Sequence, residues 1–180
     1  MNYSTNCDTH HAGQSTANDT SGTLAAILQW TSAPAVGQTL FHSSGSSAGV
    51  QFGVQSTTNF RVTFPGGGTS LNPTTAAIAI SIPYFVVMSF KDAGGGNYTA
   101  NVTITNLSTG VSTQGTATSA STGPIAQNGT YIVGNVSGAF AQLKASVSAI
   151  MFSNNFLSLS QQQAFAFDPW SFWYPNQASS

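Results

Sequence analysis

Few residues in this chain can carry acid–base or metal chemistry. The 180 residues include four aspartates (Asp8, Asp19, Asp92 and Asp168), no glutamate, and three permanent cations, Arg61, Lys91 and Lys144. Glycoside cleavage needs two carboxyls about 5–5.5 Å apart for retention, or about 6.5–9.5 Å apart for inversion. No two of these aspartates stand at i, i+2 or i, i+4, the spacings that would put both on one face of a strand. No catalytic residue is therefore assigned, and the chain is read as non-enzymatic. Nucleophilic catalysis by a serine relay lacks its usual frame. His10 and His11 lie in a polar N-terminal stretch, His42 stands at a strand end, and no Gly-x-Ser-x-Gly elbow is nearby. Zinc asks for three or four convergent ligands, whereas adjacent His10 and His11 project oppositely from an extended chain. Cys7 is the lone cysteine, so no internal disulfide forms.

Aromatic residues offer more. Trp170, Phe172, Trp173 and Tyr174 fall within five residues near the C-terminus, with Phe165 and Phe167 just before them. Two readings stay open. The tail can fold back and bury its rings, since each offers a large apolar area. Alternatively, Trp170, Trp173 and Tyr174 form a partly exposed platform that stacks on a sugar ring or docks against a neighbouring subunit.

Composition sets the outer bounds. Charged residues make up 4% of the chain, far below the ~25% usual in globular proteins, so solubility rests on Ser, Thr, Asn, Gln and Gly. Three isolated cations cannot neutralise a phosphate backbone, so nucleic acid is not an expected partner. The apolar run Ala76–Met88 is too short for a membrane span and is broken by Pro83, so membrane insertion is not expected. The opening MNYSTNCDTHH shows neither a basic start nor an apolar core of a secretory signal. The seven Asn-x-Ser/Thr sequons, at Asn2, Asn18, Asn97, Asn101, Asn106, Asn128 and Asn135, read as by-products of Asn, Ser and Thr abundance.

The elements that must position these residues are strands. Short β-branched and aromatic runs recur between Gly, Pro, Asn and Ser breaks. They predict strands over 22–31, 38–42, 50–56, 59–65, 76–82, 84–92, 98–106, 111–118, 130–136 and 142–153. Phe60, Val62 and Phe64 alternate with Arg61 and Thr63. Tyr98, Ala100, Val102 and Ile104 alternate with Thr99, Asn101, Thr103 and Thr105. One face of each strand should pack on a core and the other meet water or a partner. Pro65–Gly68 and Ala93–Asn97 read as hairpin loops. A single short helix is expected after Leu157–Ser160, with Ser160 as its N-cap. The pattern predicts an all-β, two-sheet antiparallel jelly-roll sandwich with one short C-terminal helix, forming one domain over 1–180. Within it, 1–20 is an N-terminal strand or arm and 168–180 an aromatic tail.

In order, the segments resemble the concanavalin A-like lectin/glucanase (LamG-type) superfamily over nearly the whole chain. Ser21–Trp30 is similar to its opening strand, Gln38–Phe41 to the next, Pro83–Asp92 to a central strand, and Tyr131–Gly134 to a later one. Ala145–Phe152, Leu157–Gln163 and Asp168–Trp173 resemble the closing strand, helix and tail of single-domain bacterial and phage members. Tyr3–Gln14 departs from the family's usual aromatic N-terminal strand. The resemblance implies a candidate calcium site at the sandwich rim, with Asp92, carbonyls of Gly94–Gly96 and Asn97 as oxygen donors; the other reading of Asp92 is an ordinary Asp-initiated turn. The superfamily includes both lectins and glucanases, and the missing paired carboxylates point this chain to binding rather than catalysis. The leading expectation is a virion surface protein, a phage capsid-decoration or tail-associated module, with other virion subunits or copies of itself as partners and glycans as ligands. The alternative is a free-standing extracellular carbohydrate-binding lectin of a bacterium.

Overall fold

The structure is a computed structural model that describes residues 9–12, 21–35, 37–42, 50–63, 70–120, 130–133, 143–153 and 155–172. Among these, β1 (Thr9–Ala12), β10 (Thr130–Val133), β3 (Gln38–His42), β4 (Gln51–Val54), β5 (Phe60–Thr63) and β6 (Ser70–Leu71) form one sheet in that order. The second sheet runs β11 (Ala145–Ser153), β2 (Ser21–Trp30), β7 (Pro83–Gly94), β8 (Asn97–Asn106) and β9 (Ser112–Ala120). All neighbouring pairs are antiparallel, and the order in both sheets is non-sequential, as in a jelly roll.

Two-residue periodicity builds the core. Leu24, Ala26, Leu28 and Trp30 of β2 face inward with Tyr84, Val86, Met88 and Phe90 of β7 and Tyr98, Ala100, Val102 and Ile104 of β8. They meet Leu40, Phe52, Val54, Phe60 and Val62 from the other sheet. Phe41 stacks on Phe152 at 4.9 Å, and Phe52 sits 5.9 Å from Phe90, so rings bridge the layers. Each such side chain contributes about 1.5–3 kcal/mol on burial. One side of the sandwich closes on a glycine. The Thr74 backbone lies so close to Gly115 of β9 that any Cβ there would meet its carbonyl.

Predicted strand 76–82 does not form. That stretch is an irregular connector, with Ile78 donating to the Thr57 carbonyl at 2.7 Å, Ser81 donating to the Trp30 carbonyl at 2.8 Å, and Ser81 at φ 61°. Buried Thr75 and Ile78 stand three residues apart, a step that fits no strand, while Ala76, Ala77, Ala79 and Ile80 are exposed. The loop predicted at Pro65–Gly68 lies outside the described residues.

The helix is α1 (Leu159–Phe167), followed by a 3₁₀ turn at Pro169–Phe172. Its N-cap is Ser158, not Ser160. Ser158 Oγ accepts from Gln161 N while Gln161 Oε1 accepts from Ser158 N, a reciprocal capping box that places Gln at N3. Ser160 falls at the second helical position, where its hydroxyl pairs with that of Ser158.

Docking of this helix turns the outer face of the second sheet into interior. Leu157 and Phe165 pack on Ala25, Ile27, Phe85 and Val87. Beside them, fully buried Gln162 accepts from Thr103 Oγ1 at 2.8 Å and donates to Ser89 Oγ at 2.7 Å. Ser89 Oγ in turn donates to the Leu157 carbonyl, and Gln114 Nε2 donates to both Thr103 Oγ1 and the Leu159 carbonyl. A buried donor or acceptor stripped of its partner costs about 1–3 kcal/mol. Gln162→Ala is therefore expected to lower unfolding stability by that amount in urea titration and to raise hydrogen exchange in α1 before the β2–β7–β8 core. An unchanged urea midpoint would mean that the network contributes nothing.

Candidate functional site

The face expected to meet water or a partner is divided by the docked helix. On β8 and β9, four successive cross-strand pairs are polar on both sides and hydrogen-bonded: Thr99 with Thr118, Asn101 with Thr116, Thr103 with Gln114, and Thr105 with Ser112. α1 takes the Thr103–Gln114 rung into its buried network, whereas Thr116 and Thr118 remain exposed on β9, a sheet-edge strand. The ladder is uncharged throughout.

Asp92 and Asn97 meet at the β7–β8 hairpin. Gly95 and Gly96 hold φ of 62° and 78°, the type I′ geometry that glycine adopts without strain. Asp92 Oδ1 accepts from Gly94 N at 2.7 Å, and Asn97 Nδ2 donates to the Gly94 carbonyl at 3.5 Å. Asn97 thus turns a donor toward the loop, and one Asp92 oxygen is engaged by the backbone. Calcium takes 6–8 oxygen ligands, several of them charged, so this donor set fits a turn and does not fit that ion. Among the described residues, no three His, Cys, Asp or Glu side chains group together.

Asp92 does act on its cross-strand neighbour. Tyr98, paired with it across the hairpin, has its phenol pushed above the usual tyrosine range, first by burial and then by the Asp92 charge. Burial lowers the Arg61 pKa from its ordinary value, and the Arg61 guanidinium donates through Nε to Thr63 Oγ1 at 2.7 Å. Lys91 sits over the Phe156 ring at 4.7 Å.

Asp168, the C-cap of α1, is likewise engaged by backbone. Its carboxylate and its carbonyl both accept from Ser171 N, and the carbonyl also accepts the Ser171 hydroxyl at 2.7 Å. This turn presents an aromatic pair. Phe167, at the end of α1, is 83% exposed, and Trp170, three residues on, is 57% exposed. Trp170 thus stands at the surface, while Trp173 and Tyr174, named with it, lie outside the described residues. Phe167 is more exposed than Trp170, although the helix breaks at Asp168 between them. Asp8, Asp19, Cys7 and the sequons at Asn2, Asn18, Asn128 and Asn135 also lie outside the described residues. His10 and His11 stand side by side on β1, opposite Ile132 and Tyr131.

Comparison with solved structures gives this arrangement its class. Over 86% of this chain and 73% of the other, the sandwich is similar to the native heptameric SAP-like pentraxin from Limulus polyphemus, at 13% identity and a TM-score of 0.57. The fold is a lectin-like jelly roll. A looser likeness to Scytalido-glutamic peptidase, at 15% identity and a TM-score of 0.40 over 86% of this chain and 85% of that one, carries no argument. No family model and no curated protein matches the chain.

Within this jelly roll, the Tyr98 shift has a definite sign. A folded pKa raised above the unfolded value leaves native stability intact below about pH 10 and removes it as pH climbs toward the folded value. Absorbance titration of the phenolates is expected to contain a tyrosine ionising above the usual range, which Tyr98→Phe removes. Asp92→Asn should bring it part of the way down, because burial remains. A late-titrating tyrosine unmoved by Asp92→Asn would remove the charge from the explanation.

Proposed function

We propose that this chain is a non-catalytic surface-display and binding module whose lectin-like sandwich engages neutral glycans through the aromatic end of its C-terminal segment. The supporting observation is that Phe167 and Trp170 are both exposed, on either side of the hydrogen-bonded Asp168–Ser171 turn. A pyranose presents an apolar C–H face, and aromatic rings that are large, flat and held in place suit it at small entropic cost. The absence of glutamate, and the local backbone roles of Asp92 and Asp168, favour binding over hydrolysis. An uncharged polar surface favours neutral sugars over sulfated or phosphorylated ones, because it offers few counter-charges.

The same low charge supports display on a particle, as a capsid-decoration or tail-associated protein of a virion. In that reading, purified particles carry the chain in stoichiometric copies. For the glycan reading, a neutral-glycan array probed with purified protein is expected to give defined positives. Trp170→Ala should weaken them by about tenfold or more while the circular dichroism spectrum stays unchanged. Array binding indifferent to Trp170→Ala would remove the aromatic end from the site.

A further inference from the structure

Where β7 begins and β8 ends, a groove of about 290 Å³ opens between the 76–82 connector and the β8–β9 turn. Its apolar lining comes from Ile104, Val111 and two alanines of the connector, and its polar lining from Tyr84, Asn106, Thr109 and Thr113. No lining residue carries a charge at neutral pH.

The four polar side chains share one feature. Tyr84 Oη accepts from Ala79 N at 3.0 Å, Thr113 Oγ1 from Ala76 N at 3.2 Å, and Thr109 Oγ1 from Val111 N at 3.3 Å. Asn106 Oδ1 accepts from both Ser108 N and Thr109 N, which fixes its amide with the NH₂ turned away from them. In every case a backbone N–H takes an acceptor lone pair of the side-chain oxygen. Each hydroxyl keeps its one hydrogen, and the amide keeps two. The groove is therefore donor-rich, apolar and uncharged. A carboxylate entering it would shed water without meeting a counter-charge. A neutral carbonyl beside a methyl group matches both linings, and the volume, at the small end for ligand sites, suits one sugar unit.

We infer that this groove binds the acetamido group of an N-acetylated hexosamine unit. The carbonyl accepts from the Tyr84, Thr113 and Asn106 side, and the methyl rests on Val111 and the alanines. The sugar class rests on the glycan reading above; the residues do not, since Trp170 is not among them.

Ligand-observed NMR with the methyl glycosides of N-acetylglucosamine and glucose, and with acetate, tests the inference. The N-acetyl glycoside is expected to bind, the glucoside about tenfold more weakly, and acetate not at all. Tyr84→Phe and Thr113→Val should each weaken N-acetyl binding by about three- to tenfold. Val111→Trp should abolish it by filling the mouth; Val111 is 62% exposed, so this change leaves the core intact even if the other two variants misfold. Equal binding of the two glycosides, no binding of the N-acetyl glycoside, or indifference to Val111→Trp would overturn the groove. Oligosaccharide binding lost in Trp170→Ala but untouched by the groove variants would overturn the groove alone. Acetamido-dependent binding at the groove, with Trp170→Ala silent on every glycan, would overturn the aromatic platform alone.

Discussion

A single buried amide organises the C-terminal half of this molecule. Gln162 reaches from α1 into the outer face of the second sheet, accepting from Thr103, donating to Ser89, and donating again to the Leu157 carbonyl at 3.3 Å. Gln162 and Ala166 are the buried residues of the helix. Leu157 and Phe165 supply the flanking hydrophobic contact. An amide satisfied at both ends in a low-dielectric setting is strongly directional. Sliding the helix by one residue would present Gln161 or Gln163 to a different pair of hydroxyls and break the capping box.

That docking decides where the protein can meet anything else. The middle of the outer sheet face, rich in Ser and Thr, is filled from within by the chain's own helix. What stays outside is the exposed edge of the β8–β9 ladder, the aromatic end of the segment at Phe167 and Trp170, and the groove beside Tyr84. The ladder edge and the groove are uncharged, and the aromatic end carries the single carboxylate of Asp168. Recognition in a molecule with three fixed cations and four aspartates must rest on hydrogen bonds, ring stacking and shape. Such contacts discriminate by leaving mismatched groups unpaired more than by long-range attraction.

The strands were legible because burial repeats every second residue. Tyr98, Ala100, Val102 and Ile104 announce an inner face in any reading of β8. The partner of the opposite face was not legible. Thr99, Asn101, Thr103 and Thr105 look the same whether they meet water, sugar or a glutamine from sixty residues away. The helix start was misread by two residues because the reciprocal Ser158–Gln161 pairing outweighs the nearer serine. The 76–82 run sets Ile78, Ile80 and Ile82 at strand-like alternation, yet Ile78 is buried and Ile80 exposed, and the run is a connector whose exposed alanines line a groove. That groove drew on residues 76 to 113, and no local motif marks a site assembled by hydrogen bonds from three separate turns of chain. Trp170 was marked by the local clustering of aromatic residues, which left burial and exposure both open, and it is exposed.

With the helix-covered sheet face serving structure, ligands are expected at the uncovered ends of the sandwich. Backbone amide chemical-shift mapping of the protein titrated with a neutral N-acetylated oligosaccharide tests this expectation most directly. Shifts are expected to cluster around Tyr84, Asn106, Val111 and Thr113 and around Trp170, with Ser89, Thr103 and Gln162 silent. Shifts centred on Ser89, Thr103 and Gln162, or none at saturating glycan, would contradict it.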